Sequence, residues 1–252
     1  MLMTRTTDRK RRQNPVRLSG PERRYGTQLR KIAQQVGALV DGFPPGDPAA
    51  APTIEQLLRR YAEALTPWAE ATAARMLEDL NRRDERAWMQ NAQEMSRALR
   101  DELRRAPTGE TMRALMAEQV TLIKSIPLDA AERVHRLTIE ALEDSTRAAS
   151  ISKAIQESGA VAKSRADLIA RTEVSRAATS LTEARALAVG STHYIWRTSG
   201  DSDVRPGHRA MEGKVCAWAE PPEVDENGRV MRFHPGQIWN CRCWAEPIIS
   251  ED

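Results

Sequence analysis

Apolar residues recur at spacings of three and four over most of the first 190 positions, a period that belongs to helices with one buried face. Residues 26–40 (GTQLRKIAQQVGALV) put Leu29, Ile32, Val36, Leu39 and Val40 on such a face. The stretch DGFPPGDPAAAP at 41–52 interrupts it, since its prolines cannot continue a helix. Thr53, with Gln56 three residues on, offers an N-cap and its capping-box partner. Ile54, Leu57, Leu58, Tyr61, Leu65, Trp68, Leu77, Leu80, Trp88, Met95, Leu99 and Leu103 then carry the period to about residue 105, with a break or a first-turn proline expected at Pro67. Further helices are predicted over roughly 109–125, 129–149 and 161–189, with a short one at 151–158. Pro127, Gly159 and Gly190 are read as stops between or after them.

Beyond Gly190 the period changes. HYIWRTS (193–199), GKVCAW (213–218), RVMRF (229–233) and WNCRCWAEPII (239–249) read as short strands, and Asn227-Gly228 marks a tight hairpin turn. The predicted class is α+β and mostly α: an elongated, long-helix N-terminal region followed by a small β-rich C-terminal module. The expected divisions are a basic disordered arm (1–31), a short helix with a Pro/Gly linker (32–52), a helical domain (53–190) and the Cys/His-containing module (191–252). A module of that size has little core of its own and leans on a metal or on docking.

Charge adds a feature that hydropathy does not show. The net charge is +3, but residues 1–31 hold ten basic side chains against Asp8 and Glu22, which is +8 and leaves −5 for the rest. Arg5, Arg9, Lys10, Arg11, Arg12, Arg17, Arg23 and Arg24 make this segment a candidate for sequence-blind, salt-sensitive binding to DNA phosphates, or alternatively a solubilising tail. No run of about 18 apolar residues is present, so no membrane-spanning helix is expected, and no apolar stretch follows the basic start as a secretory signal would require. An odd, clustered set of three cysteines argues against a disulfide framework and suits a reducing cytosol.

Two sets of residues could carry chemistry. His208, Cys216, His234, Cys241 and Cys243 offer soft or borderline donors suited to a structural Zn(II), although Cys-x-Cys is tighter than the common Cys-x₂-Cys. On a strand, Cys241 and Cys243 would share one face, which suits joint ligation and equally suits two small buried apolar groups. Arg171, Glu173, Asp201, Asp203, Arg205 and His208 could line a polar cleft, yet no Gly-x-Ser-x-Gly, phosphate loop or His-Glu-x-x-His accompanies them. Arg–Asp pairing that fixes the loop is the simpler reading. Trp68 and Trp88 fall on apolar helical positions, and Trp196, Trp218, Trp239 and Trp244 are expected to supply the module's apolar area.

The string WRTSGDSDVRPGHRAMEG (196–213), followed by HPG (234–236) and NCRC (240–243), resembles the phage Mu F-like family of minor head proteins. LIKSIP (122–127) and LIARTE (168–173) upstream are similar to that family too. The motif positions are Arg171, Glu173, Trp196, Asp203, Arg205, His208, Gly213, Pro235, Gly236 and Arg242, with Cys241 and Cys243. The resemblance implies a virion protein, at the portal vertex of a tailed-phage capsid and in the host cytoplasm during assembly. Its implied partners are the portal protein and the major capsid or scaffolding protein, and its role is head morphogenesis without enzymatic activity. The competing expectation is a metal-dependent hydrolase or nuclease built on the Asp/His/Cys cluster.

Overall fold

The structure, a computed structural model, describes residues 14–43, 50–91, 97–143, 148–226 and 228–249. Its helices are α1 (Ser19–Asp41), α2 (Ala51–Ala64), α3 (Thr66–Asn91), α4 (Arg97–Arg105), α5 (Thr108–Glu143), α6 (Ala148–Gln156) and α7 (Ser158–Ala188), with a single turn α8 (Pro206–Arg209) among the strands. The strands are β1 (His193–Arg197), β2 (Val215–Ala217), β3 (Glu223–Glu226), β4 (Arg229–Arg232) and β5 (Trp244–Ile248). The chain is therefore α+β and mostly α, with its strands at the C-terminal end. Among the described residues no helix is long and apolar enough to cross a membrane.

The chain forms two compact units. One comprises Arg23–Arg75 and Met116–Ala170, and among the described residues its elements are helices. Leu29, Ile32 and Val36 of α1, Leu58 of α2, and Ile123, Ile126 and Val134 of α5 are buried in it. Tyr25 donates a hydrogen bond to Gln119 Oε1 at 2.9 Å inside this unit, and Arg30 pairs with Asp167 at 2.7 Å.

α1 begins at Ser19, inside the segment expected to be disordered, because Tyr25 extends the buried face of Leu29 and Ile32 by a further turn. Arg23 and Arg24 thus lie on a helix, exposed, and Arg17 precedes it, exposed with a φ of 48°. Arg5, Arg9, Lys10, Arg11 and Arg12 lie outside the described residues. α2 starts at Ala51 with Pro52 in its first turn and Ala50 as an N-cap without a side-chain bond, so the Thr53 capping box is not used. Proline's fixed φ suits a first turn, where its missing donor has no partner to lose. The same holds at Pro67, which falls in the first turn of α3.

Pro127 does not end a helix but lies inside α5. Proline removes one intrahelical bond. Ile123, Ile126, Ala131 and Val134 on either side of it are fully buried, and this apolar packing carries the helix through. Gly159 likewise lies in the first turn of α7, facing Gly37 of α1, and caps nothing.

The other unit comprises Met76–Leu115 and Arg171–Asp252 with the residues up to Glu22. It contains a three-stranded antiparallel sheet in the order β2-β1-β5 and a separate β3–β4 hairpin. β1 pairs with β2 from His193↔Ala217 and with β5 from Arg197↔Trp244 to His193↔Ile248. The hairpin register ends on Glu226↔Arg229, and Gly228 sits at φ 82°, as a tight turn requires, while Asn227 lies outside the described residues. Trp196, Tyr194, Trp218, Val224, Phe233 and Ile238 form one core together with Trp88 of α3, Leu103 of α4 and Ala186 of α7. Helices therefore supply part of the interior of the β-rich region, which the sequence expects to lean on a metal or on docking. Asp84 and Arg185 pair at 2.5 Å between α3 and α7, both buried, with Thr182 donating to the same carboxylate at 2.6 Å. Trp239, expected in the core, is 50% exposed.

Candidate metal centre

Three short backbone segments bring the site together. α8 carries His208, and the loop after β4 carries Cys241 and Cys243 just ahead of β5. β3 ends on Glu226. α8 lies so close to β3 that a Cβ on Gly207 would stand 1.8 Å from the Asp225 carbonyl oxygen. Only glycine allows this approach, and it puts His208 next to Glu226.

The His208 ring is buried and bonded on both sides. Nε2 lies 2.9 Å from Glu226 Oε2, and Nδ1 lies 3.4 Å from both Cys241 Sγ and Cys243 Sγ. A ring protonated at Nε2 donates to Glu226; with no metal bound, a second proton on Nδ1 donates to the sulfurs, and a metal ion would take that proton's place. Arg205 bonds to the other Glu226 oxygen and to the Trp239 carbonyl, tying the hairpin end to the cysteine loop. The Gly236 amide donates to Cys241 Sγ at 3.4 Å. Trp196 meets the His208 ring edge-on at 5.9 Å between centroids, and Phe233 lies at 5.5 Å.

Electrostatically the two thiols share one charge. Hydrogen bonding from Cys243 and from His208 holds the Cys241 thiol well below the ordinary value against the opposing effect of burial, and bonding to Cys241 together with burial pushes Cys243 up. Burial works against a charged His208, but Cys241 and Glu226 outweigh it and raise its pKa. A thiolate beside an imidazole is what a metal ion requires. The donor atoms of His208, Cys241 and Cys243 all lie within 4.8 Å of one another, and this buried group could hold a metal ion. With three protein donors, a tetrahedral ion would keep a fourth position for water or another ligand.

Of the five residues read as ligands, the structure brings these three together and sets two apart. Cys216 lies opposite Tyr194 in the β1–β2 pair, with its thiol 3.9 Å from the Lys214 carbonyl. His234 bonds through Nδ1 to the Tyr194 hydroxyl at 2.9 Å and packs against Trp218. Burial holds its pKa below the usual histidine value. Cys241 and Cys243 converge although they precede β5 and are not on a strand, so the loop does what strand alternation was expected to do. Glu226 was missed, since an acidic residue before Asn-Gly reads as an exposed hairpin end; it is 5% exposed.

The remaining motif residues have separate duties. Arg242 pairs with Asp201 at 2.9 Å and with Asp203 at 3.4 Å, clasping the 200–205 loop. Among the described residues neither aspartate belongs to the His/Cys/Cys group. Arg171 pairs with Glu22 at 3.7 Å on the surface, and the nearly buried Glu173 pairs with Arg176 at 3.3 Å. Trp196 is fully buried, and Gly213 takes φ 79° where the backbone turns back to bond with Trp196. The Pro235 carbonyl accepts the Thr179 hydroxyl of α7 at 2.7 Å, and Gly236 follows at φ 84°.

Residues 132–246, which contain α8, all five strands apart from the last residues of β5, and the whole His/Cys/Cys group, match the family described as Phage Mu protein F like protein. This part of the chain is similar to Mu F-like proteins. The chain is also similar to a Haemophilus influenzae (strain Rd) protein described only as uncharacterized, with 31% identity over 151 residues. That alignment covers 60% of this chain and 32% of the relative, so the chain spans about a third of the relative's length. No solved structure matches the chain. The Mu F-like segment takes in every motif position from Arg171 to Arg242, and α1 to α4 precede it.

Proposed function

We propose that the chain is a minor head protein of a tailed bacteriophage that docks at the portal vertex and acts in head morphogenesis. The observation that carries this reading is the Mu F-like match over residues 132–246, which includes the whole cysteine–histidine group. Its partners are the portal protein and the major capsid or scaffolding protein, and it passes from the host cytoplasm into the virion. Arg5, Arg9, Lys10, Arg11, Arg12, Arg17, Arg23 and Arg24 contact packaged DNA through phosphate charge, with no reading of bases. The ion held by His208, Cys241 and Cys243 is Zn(II), which fastens α8 to the loop ahead of β5.

Quantitative mass spectrometry of purified particles tests the central statement. A copy number near or below that of the portal is expected; absence from both mature particles and assembly intermediates would sink it. DNA affinity should fall steeply as salt rises and should lose most of that slope when the basic residues at 5–12 are neutralised.

The three-donor count favours one other reading, a metal-dependent hydrolase, because such sites leave a position for an activated water. His208→Ala separates the two. A structural role predicts loss of folding in the β-rich region, whereas a hydrolytic role predicts a folded protein that has lost a measurable nuclease or esterase activity.

A further inference from the structure

Zn(II) bonds imidazole nitrogen at about 2.0–2.1 Å and thiolate sulfur at about 2.3 Å, so a tetrahedral ion separates such donors by about 3.6 Å. The two Nδ1–Sγ separations at His208 are each 3.4 Å, close to those edges without any rearrangement of the backbone. The ring's opposite nitrogen already faces a buried carboxylate that has a second, cationic partner. Ligating histidines characteristically give their other N–H to a carboxylate, which fixes the ring and raises its basicity. The Trp196 indole nitrogen, buried and without a hydrogen-bond partner, lies in the same interior, and the Trp196 ring meets His208 edge-on.

We propose that Glu226, locked in place by Arg205, is the outer-sphere positioning residue of this centre, holding His208 so that it ligates through Nδ1 alongside Cys241 and Cys243. The inference rests on the zinc reading above and goes beyond it, because it assigns the ligating nitrogen and two residues that do not touch the ion. Arg205 contributes by fixing Glu226 and by tethering the Trp239 carbonyl, so the pair joins the hairpin end to the segment that carries both thiolates. An ion bound here would therefore gain its geometry from three short segments, α8, the end of β3 and the loop ahead of β5, each contributing through named side chains.

The test uses the full chain stripped of metal and titrated with Zn(II) and, separately, with Co(II). One ion per chain is expected, with sulfur-to-cobalt charge-transfer absorption that falls by about half in Cys243→Ser, which removes one of two thiolates. Glu226→Gln should keep that absorption and the stoichiometry while weakening Zn(II) binding by about 10–100-fold, the usual effect of losing such a partner. Arg205→Gln should weaken it in the same direction by less. In the wild-type zinc form, nitrogen-15 shifts should show His208 metal-bound at Nδ1 and protonated at Nε2, a readout that needs no variant. Ligation through Nε2, or wild-type affinity in a folded Glu226→Gln protein, would overturn the positioning role and leave the zinc reading standing. A folded chain that binds neither ion would overturn both.

Discussion

Gly236 shows how much one residue can decide. Its φ of 84° is a conformation that side chains with a Cβ rarely adopt, and a Cβ there would stand 2.7 Å from Ser175 Oγ and 2.8 Å from Thr179 Oγ1. Gly236→Ala should therefore lower stability by about 1–3 kcal/mol from backbone strain alone, measured by urea unfolding. An unchanged midpoint would mean that the turn relaxes freely. His234 gives a pH signature of definite sign. Burial depresses its folded pKa below 6.5, so on acidification the unfolded chain takes up this proton first. The stability it supports is present above about pH 6.5 and is lost as pH falls from there towards the folded value. With metal removed from both proteins, His234→Gln should lose less stability than wild type between about pH 7.5 and about pH 5.5. Equal losses would show that the ring is protonated as readily in the fold as outside it. The sequence offered His234 and Cys216 as ligands on the same footing as His208, because residue type is visible there and ring orientation is not. What separates them is a neighbour: Tyr194 takes up His234 and faces Cys216, while Glu226 orients His208.

At the level of elements, periodicity found the helices but misjudged their ends, and the reasons are local. Pro127 and Gly159 look like stops in isolation, yet both lie within helices held by contacts far away in sequence. β3 could not be seen, since GluValAspGlu has one apolar residue and is held as a strand by its pairing with β4. The buried Asp84–Arg185 pair was equally hidden, for in sequence both are ordinary charges on helical surfaces. Between α3 and α7 Arg185 also donates to Asn81 Oδ1 at 2.8 Å, but that neutral amide does not replace the countercharge that Asp84 supplies. Asp84→Ala should cost about 3–5 kcal/mol by stranding a buried guanidinium. The double change Asp84→Leu with Arg185→Met should recover most of that loss, because a pair removed together leaves no lone charge. Chemical denaturation of the two variants against wild type checks both statements, and a double variant as unstable as the single one would assign the damage to packing.

At the scale of the whole chain, the core of the β-rich region draws on helices that lie before the change in sequence pattern. The pattern changes at Gly190, and a division there looks natural from composition. The core of the β-rich region nevertheless includes Trp88, Leu103 and Ala186, which come from three helices before that point, and Thr179 of α7 bonds to the Pro235 backbone. A fragment of about 60 residues buries only about 60% of its chain surface even when complete, so it has little stability to spare. Removing a tryptophan and a leucine from its interior takes away about 3–6 kcal/mol of apolar burial, which is of the order of what such a domain has in total. Residues 191–252 produced alone should therefore lack dispersed amide signals and cooperative unfolding, while a chain spanning residues 14–252 retains both. If the fragment instead unfolds cooperatively once Zn(II) is added, the metal centre alone would be enough to organise it and the helical part of the core would be dispensable. If it stays unfolded with Zn(II) present, the site depends on the helices that precede it, and His208, Cys241 and Cys243 are brought together by folding of the whole unit and not by the ion.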